Sequence, residues 1–370
     1  MKILYVTTIG LTMIFFKDLA RELIENGNTV DIAANEKDYR VDPFYHELGC
    51  HMMQVDFSRS PLSKGNVRAY QQLRKIISEN HYDIVHCHTP VAGAITRLAC
   101  RKYRKDRLKV IYTAHGFHFY KGAPLKNWLI YYPIEKLCSR FTDVLITINH
   151  EDYERAKKKM KAKRVEYVPG VGVDVDKFAN TVVDRAVKRR ELGIPEDAFL
   201  LLSVGELNEN KNHQIVIRVL TELKNPNVHY MIAGKGPLHD YLLDLAQKLG
   251  VEKQVHLLGY RDDAAELYKM ADVDIFPSIR EGLGLAAVEG MVAGLPLICA
   301  DNRGTREYAK NGENAIVCSN TLTEYASAID TMYRNESLRI DYGNHGAVVA
   351  HSFNVASINA LMMKIYQSEI

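Results

Sequence analysis

Residues 278–298 read SIREGLGLAAVEGMVAGLPLI. Glu281 lies in a glycine-rich turn with Gly282 and Gly284, residues 285–292 have the composition of a helix, and Glu289 falls eight positions after Glu281. Glycine opens backbone conformations closed to other residues and lets a chain approach a ligand closely. A helix that follows such a turn points free N–H groups and the positive end of its dipole at that ligand, which suits a diphosphate. One carboxylate before the helix and a second two turns into it reach two parts of an elongated ligand. They also fit a plain turn followed by a helix with an exposed Glu, and spacing alone leaves both readings open.

Outward from this segment the same grammar repeats. ADVDIFPS precedes it and LPLICA closes it, and FLLLSVGE, HYMIAGKGP and VHLLGY lie upstream, all apolar runs separated by helical stretches. The first half shows KILYVTT, NTVDIAA, DIVHCH, KVIYTAHG and DVLITIN in the same alternation. Strands apolar on both faces and joined through helices predict parallel sheets covered on both sides by right-handed crossovers. At 370 residues the chain is too long for one ordinary core. The expected architecture is α/β with two Rossmann-like doubly wound domains, residues 1–170 and 178–352, joined through the Gly- and Pro-rich VEYVPGVGVDVDKF. The segment 353–370 reads as a helix that packs on the second domain or crosses back to the first; periodicity does not decide. In such sheets ligands bind at the carboxyl ends of the strands.

Composition narrows the function. With 47% hydrophobic and 25% charged residues the chain is globular. No stretch reaches the roughly 20 apolar residues of a membrane span, and six scattered cysteines with no CxxC pair indicate a reducing, cytoplasmic setting. Two basic clusters, within residues 97–109 and 157–164, are solvated helix faces or a surface drawn to anionic lipid. No nucleic-acid module accompanies them. The turn TTIGLTM holds the single Gly10, not a GxGxxG fingerprint, so no dinucleotide cofactor is expected. His86 and His88 form an HxH on a strand without a third ligand, so no metal is expected there.

The ordered set formed by Glu281 to Glu289 with GLGL between them, AGLPLI, SVGELNENKNH, IAGKGP, LLGYRDD, ADVDIFPS and GTREYAKNGENAIVC resembles family 4 retaining glycosyltransferases of the GT-B fold. DIVHCHTP and YTAHGFHFYKGAPLKNWLIYYPIEKL look like members that build capsular or exopolysaccharide repeat units. The resemblance implies two facing Rossmann-like domains with an interdomain cleft and retaining, metal-independent transfer of a hexose or N-acetylhexosamine. It implies no cofactor, and Asp272 and Asp274 become structural. The donor is expected to be a UDP-sugar and the acceptor a lipid-linked saccharide, with the protein cytoplasmic or peripheral on the inner face of the plasma membrane. Glu281 would contact the donor sugar, Glu289 the ribose, and the backbone of Gly282, Leu283, Gly284 and Leu285 the phosphates. Lys211 would neutralise the diphosphate, His115 would face the sugar, and Tyr260 and Arg261 would border the nucleobase. Gly10 belongs to the same donor set, and His88, Phe117 and His118 to the acceptor side. The aromatic stretch from Phe117 to Tyr132 would dip into the lipid interface or line an acceptor groove. One departure is Glu206, which stands where many relatives carry Arg; it points elsewhere, pairs with Lys211 or Lys235, or leaves another base to substitute. Two other readings compete: a nucleotide-sugar epimerase of related architecture, and an inactive accessory subunit.

Overall fold

The computed structural model describes residues 1–37, 39–61, 63–106 and 108–369, with the side chains of 105 and 106 outside the description. The chain divides into two compact units, one formed by 1–172 with 355–370 and the other by 173–354.

The first unit is built on seven parallel strands: β1 Lys2–Ile9, β2 Thr29–Asn35, β3 His51–Gln54, β4 Ile84–His88, β5 Lys109–Ala114, β6 Val144–Thr147 and β7 Arg164–Tyr167. They lie in the order β3-β2-β1-β4-β5-β6-β7. Successive side chains of a strand point to opposite faces. Leu4 and Val6 of β1 therefore join one core, under the helices Gly65–Asn80 and Pro90–Cys100, while Ile3 and Tyr5 join the other. The helix Val355–Gln367 covers this second face, with Ile358, Met362 and Tyr366 packed among Ile3, Tyr5 and Ile146. Periodicity could not assign that helix, because its apolar stripe fits either sheet equally. Gly172 marks the return point: at φ +86° it lies so close to Val355 that a Cβ would come 2.4 Å from the Val355 Cα.

The second unit holds six parallel strands, β8 Phe199–Val204, β9 Val228–Ala233, β10 Val255–Leu257, β11 Val273–Phe276, β12 Leu297–Ala300 and β13 Ala315–Cys318, in the order β10-β9-β8-β11-β12-β13. The strand order reverses between β1 and β4 in the first sheet and between β8 and β11 in the second. Each reversal is a topological switch point, where loops diverge and leave a crevice. The fold thus nominates two places for ligands.

Two charged groups are used by the fold. Asp272 pairs with Arg185 at 2.6 Å and Arg189 at 2.9 Å, and accepts from the Leu200 backbone N–H. Asp274 is buried, and its Oδ2 would meet a Cβ on Gly290 at 2.3 Å. Burial and the neighbouring Glu289 push the Asp274 carboxyl well above its usual range. In the unfolded chain Asp274 ionises near pH 4, whereas in the folded chain it keeps its proton, so stability falls as pH rises between those two values. The variant Asp274→Asn lacks this titration. Its stability relative to wild type is expected to grow by about 1.4 kcal/mol per pH unit across that window. Urea unfolding of both proteins from pH 5 to pH 8 checks this, and a constant difference would show that Asp274 ionises freely.

The basic residues of 157–163 are exposed, as are Arg101 and Lys102, but several members of the two clusters are paired. Arg97 is fully buried and pairs with Glu135 at 2.8 Å. Arg104 and Lys163 both bind Asp143, Arg164 binds Glu166, and Lys158 binds Glu154. Arg107 and the side chain of Lys105 lie outside the described residues. All six cysteines are buried and free. Among the described residues no helix is long and apolar enough to cross a membrane.

Candidate active site

At the β8–β11 switch point three loops are laced together. After β8 the chain runs through Gly205, Glu206 and Leu207, and after β9 through Gly234, Lys235 and Gly236. The two turns touch backbone to backbone: a Cβ on Gly234 would overlap the Gly205 carbonyl oxygen, and the Leu207 N–H donates to the Lys235 carbonyl at 3.0 Å. The loop after β11 joins them, with the Ile279 N–H donating to the Asn210 carbonyl at 2.8 Å and Asn210 Nδ2 to the Arg280 carbonyl at 2.9 Å. This lacing brings Lys211 Nζ to 2.8 Å from Glu281 Oε1 and 4.8 Å above the Phe276 ring. A cation and a carboxylate seventy positions apart in sequence thus form one half-buried pair at the carboxyl edge of the sheet.

The helix Leu285–Val292 starts beside this pair. Gly284 caps it at φ +92°, a left-handed conformation, and a Cβ there would strike Phe276 at 2.8 Å and the Tyr308 hydroxyl at 2.9 Å. Gly284 supplies no side-chain cap, and the Ala287 N–H turns back to the Gly284 carbonyl at 3.1 Å, so it is the N–H groups of Leu285 and Ala286 that have no carbonyl one turn earlier within the helix. Glu289 lies partly buried on the same helix beside Tyr268, and burial raises its carboxyl to about 7. Several supports carry little trace in sequence. Arg303 is buried and donates through Nε to the Glu281 carbonyl at 3.2 Å, and Asn302 Nδ2 donates to the Ser278 carbonyl at 2.9 Å. Tyr308 donates to the Leu283 and Gly284 carbonyls. They lie on NRGTREY after β12, where loop conformation alone decides which backbone each reaches.

The remaining donor-side expectations divide. Glu206 is exposed and accepts from Asn208 Nδ2 at 2.8 Å; among the described residues it forms no ion pair, and Lys211 goes to Glu281. Lys235 is exposed and has no acidic partner among the described residues. Tyr260 is exposed, while the Arg261 guanidinium is held by Asp263, which also binds Lys188 at 2.6 Å. Arg261 therefore offers a ligand its backbone more readily than its charge.

In the first unit, His115 follows β5 and its Nε2 lies 3.1 Å from His88 Nδ1. Burial lowers His115 to about 4 and holds His88 well below the usual imidazole range, so both rings are neutral at pH 7. Behind them His86 Nδ1 meets the Tyr366 hydroxyl at 2.6 Å and His86 Nε2 the Thr113 hydroxyl at 2.8 Å. Three expectations are corrected here. His88 is fully buried beneath Phe16, at 4.3 Å between rings, and supports His115 instead of lining an acceptor surface. Phe117 is core, stacked on the buried Phe119 at 4.7 Å, so the aromatic stretch does not reach outward from its first half. The close approach at Gly10 is made by the chain itself: a Cβ there would lie 2.5 Å from the Tyr39 carbonyl oxygen and 2.6 Å from the Val41 nitrogen.

His118 is half-buried. It stacks on Tyr131 and lines a groove of about 200 Å³ with Thr8, Thr12, Arg59 and Thr89, at the carboxyl ends of β1 and β4. Thr89 adopts φ 63°, which a β-branched residue rarely takes, with its hydroxyl 2.6 Å from that of Thr8. Strain of this kind collects at binding sites, where surrounding structure holds it.

A family model for glycosyl transferases group 1 matches residues 184–348, and one for glycosyl transferase 4-like domains matches residues 2–149. EpsD of Bacillus subtilis (strain 168), named as a glycosyltransferase, is 42% identical over 319 residues, covering 85% of this chain and 84% of that protein. The chain belongs to the family 4-type GT-B glycosyltransferases. A UDP-Gal:alpha-D-GlcNAc-diphosphoundecaprenol alpha-1,3-galactosyltransferase of Escherichia coli is 27% identical across 78% of this chain and 76% of its own. Among solved structures, Anabaena HepE in complex with UDP and glucose matches at a TM-score of 0.82 with 20% identity over the full length of both chains. That likeness shows the fold of this glycosyltransferase.

Proposed function

We propose that this glycosyltransferase moves a sugar, a hexose or N-acetylhexosamine, from a UDP-sugar to a lipid-linked saccharide in the assembly of a capsular or exopolysaccharide repeat, on the cytoplasmic face of the membrane. The observation that carries the reading is the Lys211–Glu281 pair at 2.8 Å beside the uncapped start of Leu285–Val292. A nucleoside diphosphate leaving group gains charge as the glycosidic bond breaks, and a fixed cation with an N–H-bearing helix end lowers that barrier. Glu281, released from Lys211 by the incoming diphosphate, turns its carboxylate to sugar hydroxyls, and Glu289 accepts from the ribose. The neutral His115 donates to or accepts from the sugar without adding charge. The reaction proceeds with retention and without metal: the acceptor hydroxyl attacks the face from which UDP departs, and a phosphate oxygen takes its proton. The groove at His118, Arg59 and the strained Thr89 receives the acceptor. The E. coli relative, whose name includes a UDP-sugar and a diphosphoundecaprenol saccharide, supports this choice of partners.

The test is release of UDP from a panel of UDP-, GDP- and dTDP-sugars, with and without a polyprenyl-diphosphate saccharide. Acceptor-dependent UDP release and an NMR-assigned product that keeps the donor's anomeric configuration are expected. Conversion of the donor sugar without acceptor would instead identify an epimerase, and an inverted product would sink the front-face mechanism.

A further inference from the structure

The helix Leu125–Cys138 carries apolar residues on the side that faces away from its own domain. Its inner face holds Trp128, Tyr131, Tyr132 and the buried Glu135 and Cys138. At spacings of four and eight, Leu125, Leu129 and Leu137 point outward, 72%, 68% and 49% exposed, with Pro133 between the last two and Ile130 and Ile134 flanking them. Exposed apolar residues scattered singly are ordinary, but five on one helical face make a contiguous patch that water does not favour. A helix clad in apolar groups on both sides normally has both covered.

Along residues 121–140 the exposed charge has one sign, while Glu151 and Glu154 of the neighbouring helix are taken up by Arg155 and Lys158. Between residues 121 and 140 the exposed ionisable side chains are Lys121, Lys126, Lys136 and Arg140; the one acidic residue of the stretch, Glu135, is turned inward onto Arg97. Among the described residues none of these four cations forms an ion pair, in contrast to Arg104, Lys158, Lys163 and Arg164 of the neighbouring basic clusters. Leucines and isoleucines rimmed by unpaired lysine and arginine match a surface that is apolar within and anionic at its edge. Anionic phospholipid has that profile: each cation near its surface contributes to binding, and apolar side chains enter the boundary of head groups and acyl chains.

We propose that the outer face of Leu125–Cys138 is a membrane-docking surface that lies on anionic lipid with Leu125, Leu129 and Leu137 immersed. The acceptor groove lies on the other side of the same helix, where Tyr131 of its inner face lines it with His118. Docking would hold the groove at the depth of a lipid's diphosphate head group. The consequence for transfer rests on the acceptor being lipid-linked; the docking itself does not.

The experiment is co-sedimentation of the full chain with vesicles of phosphatidylcholine alone or mixed with phosphatidylglycerol, at low and high salt. Wild type is expected to bind the anionic vesicles at low salt. Leu129→Glu with Leu137→Glu should weaken that binding by on the order of 100-fold, and Lys126→Ala with Lys136→Ala by about 25-fold. Circular dichroism and UDP release with a water-soluble saccharide acceptor should stay unchanged in both, since these side chains face outward from the fold and from the donor loops. Failure of wild type to bind, or binding indifferent to the leucine changes, would overturn the proposal while leaving the transfer reading untouched. So would a dimer dissolved by Leu129→Glu without vesicle binding, which would assign the face to a second copy. Absence of UDP release alongside leucine-dependent vesicle binding would sink the transfer reading alone.

Discussion

Lys211→Ala is expected to lower kcat for sugar transfer by on the order of 10³-fold while leaving the protein folded. The ammonium group lies 2.8 Å from Glu281, and both side chains keep contact with water, at 19% and 15% exposure, so its structural share is that of a modest ion pair. Its loss leaves Glu281 with access to water, and the unfolding transition should move little. The chemical share is larger, because the charge that grows on the departing diphosphate meets a cation already fixed by the Asn208 side chain, which accepts from the Lys211 N–H at 3.0 Å. Glu206, where a second cation would stand, is a carboxylate, and Arg303 is engaged with the loop carbonyl of Glu281. An interaction made chiefly in the transition state lowers kcat more than it raises KM. Lys211→Arg should recover part of the rate, since it keeps charge but changes reach. Steady-state kinetics of the three proteins decides the matter. Wild-type rates in Lys211→Ala would remove Lys211 from the mechanism.

Lys211 is singled out in the sequence only through the family resemblance of NENKNH, and Arg303 not at all; what a sequence shows unaided is a matter of range. Strand and helix alternation is a local signal, and it predicts both sheets because buried parallel strands are apolar on both faces over four to eight residues. Gly282 and Gly284 before Leu285 are local too. The lacing of Asn210 to Arg280, or of Arg303 to Glu281, depends on loops from separate strands meeting at a switch point, and composition holds no trace of it. Gly10 shows the converse error. A lone glycine after β1 fits an approaching ligand, but the approaching group is the backbone of Tyr39 to Val41, a contact across thirty residues. The stretch from 97 to 109 is dense in basic residues and reads as surface charge, Arg97 included. On the helix Pro90–Cys100 its position turns it inward, where only a partner as distant as Glu135 makes it tolerable.

That partnership carries the second large effect. Glu135→Ala is expected to destabilise the first unit by about 3–5 kcal/mol. Arg97 is fully buried, its guanidinium 3.9 Å over the Tyr112 ring, and its Nε donates to the Gly93 carbonyl at 2.8 Å. Gly93 is tied to the same arrangement, since a Cβ there would lie 2.5 Å from the Tyr112 ring. Glu135 supplies the compensating charge at 2.8 Å and also accepts from the Tyr112 hydroxyl at 3.1 Å. Removing the carboxylate leaves a cation that cannot shed its proton and cannot reach water without moving the helix. Removing both charges is a different experiment. Arg97→Met with Glu135→Leu replaces the pair by apolar groups of similar bulk and should regain most of the loss, because the pair's mutual attraction roughly offsets its desolvation. Urea unfolding followed by tyrosine and Trp128 fluorescence reads both variants. If Glu135→Ala costs under about 1 kcal/mol, Arg97 reaches solvent and the anchor of the Leu125–Cys138 helix must lie elsewhere. If the double variant is no better than the single one, the loss comes from packing around Tyr112 and not from the stranded charge.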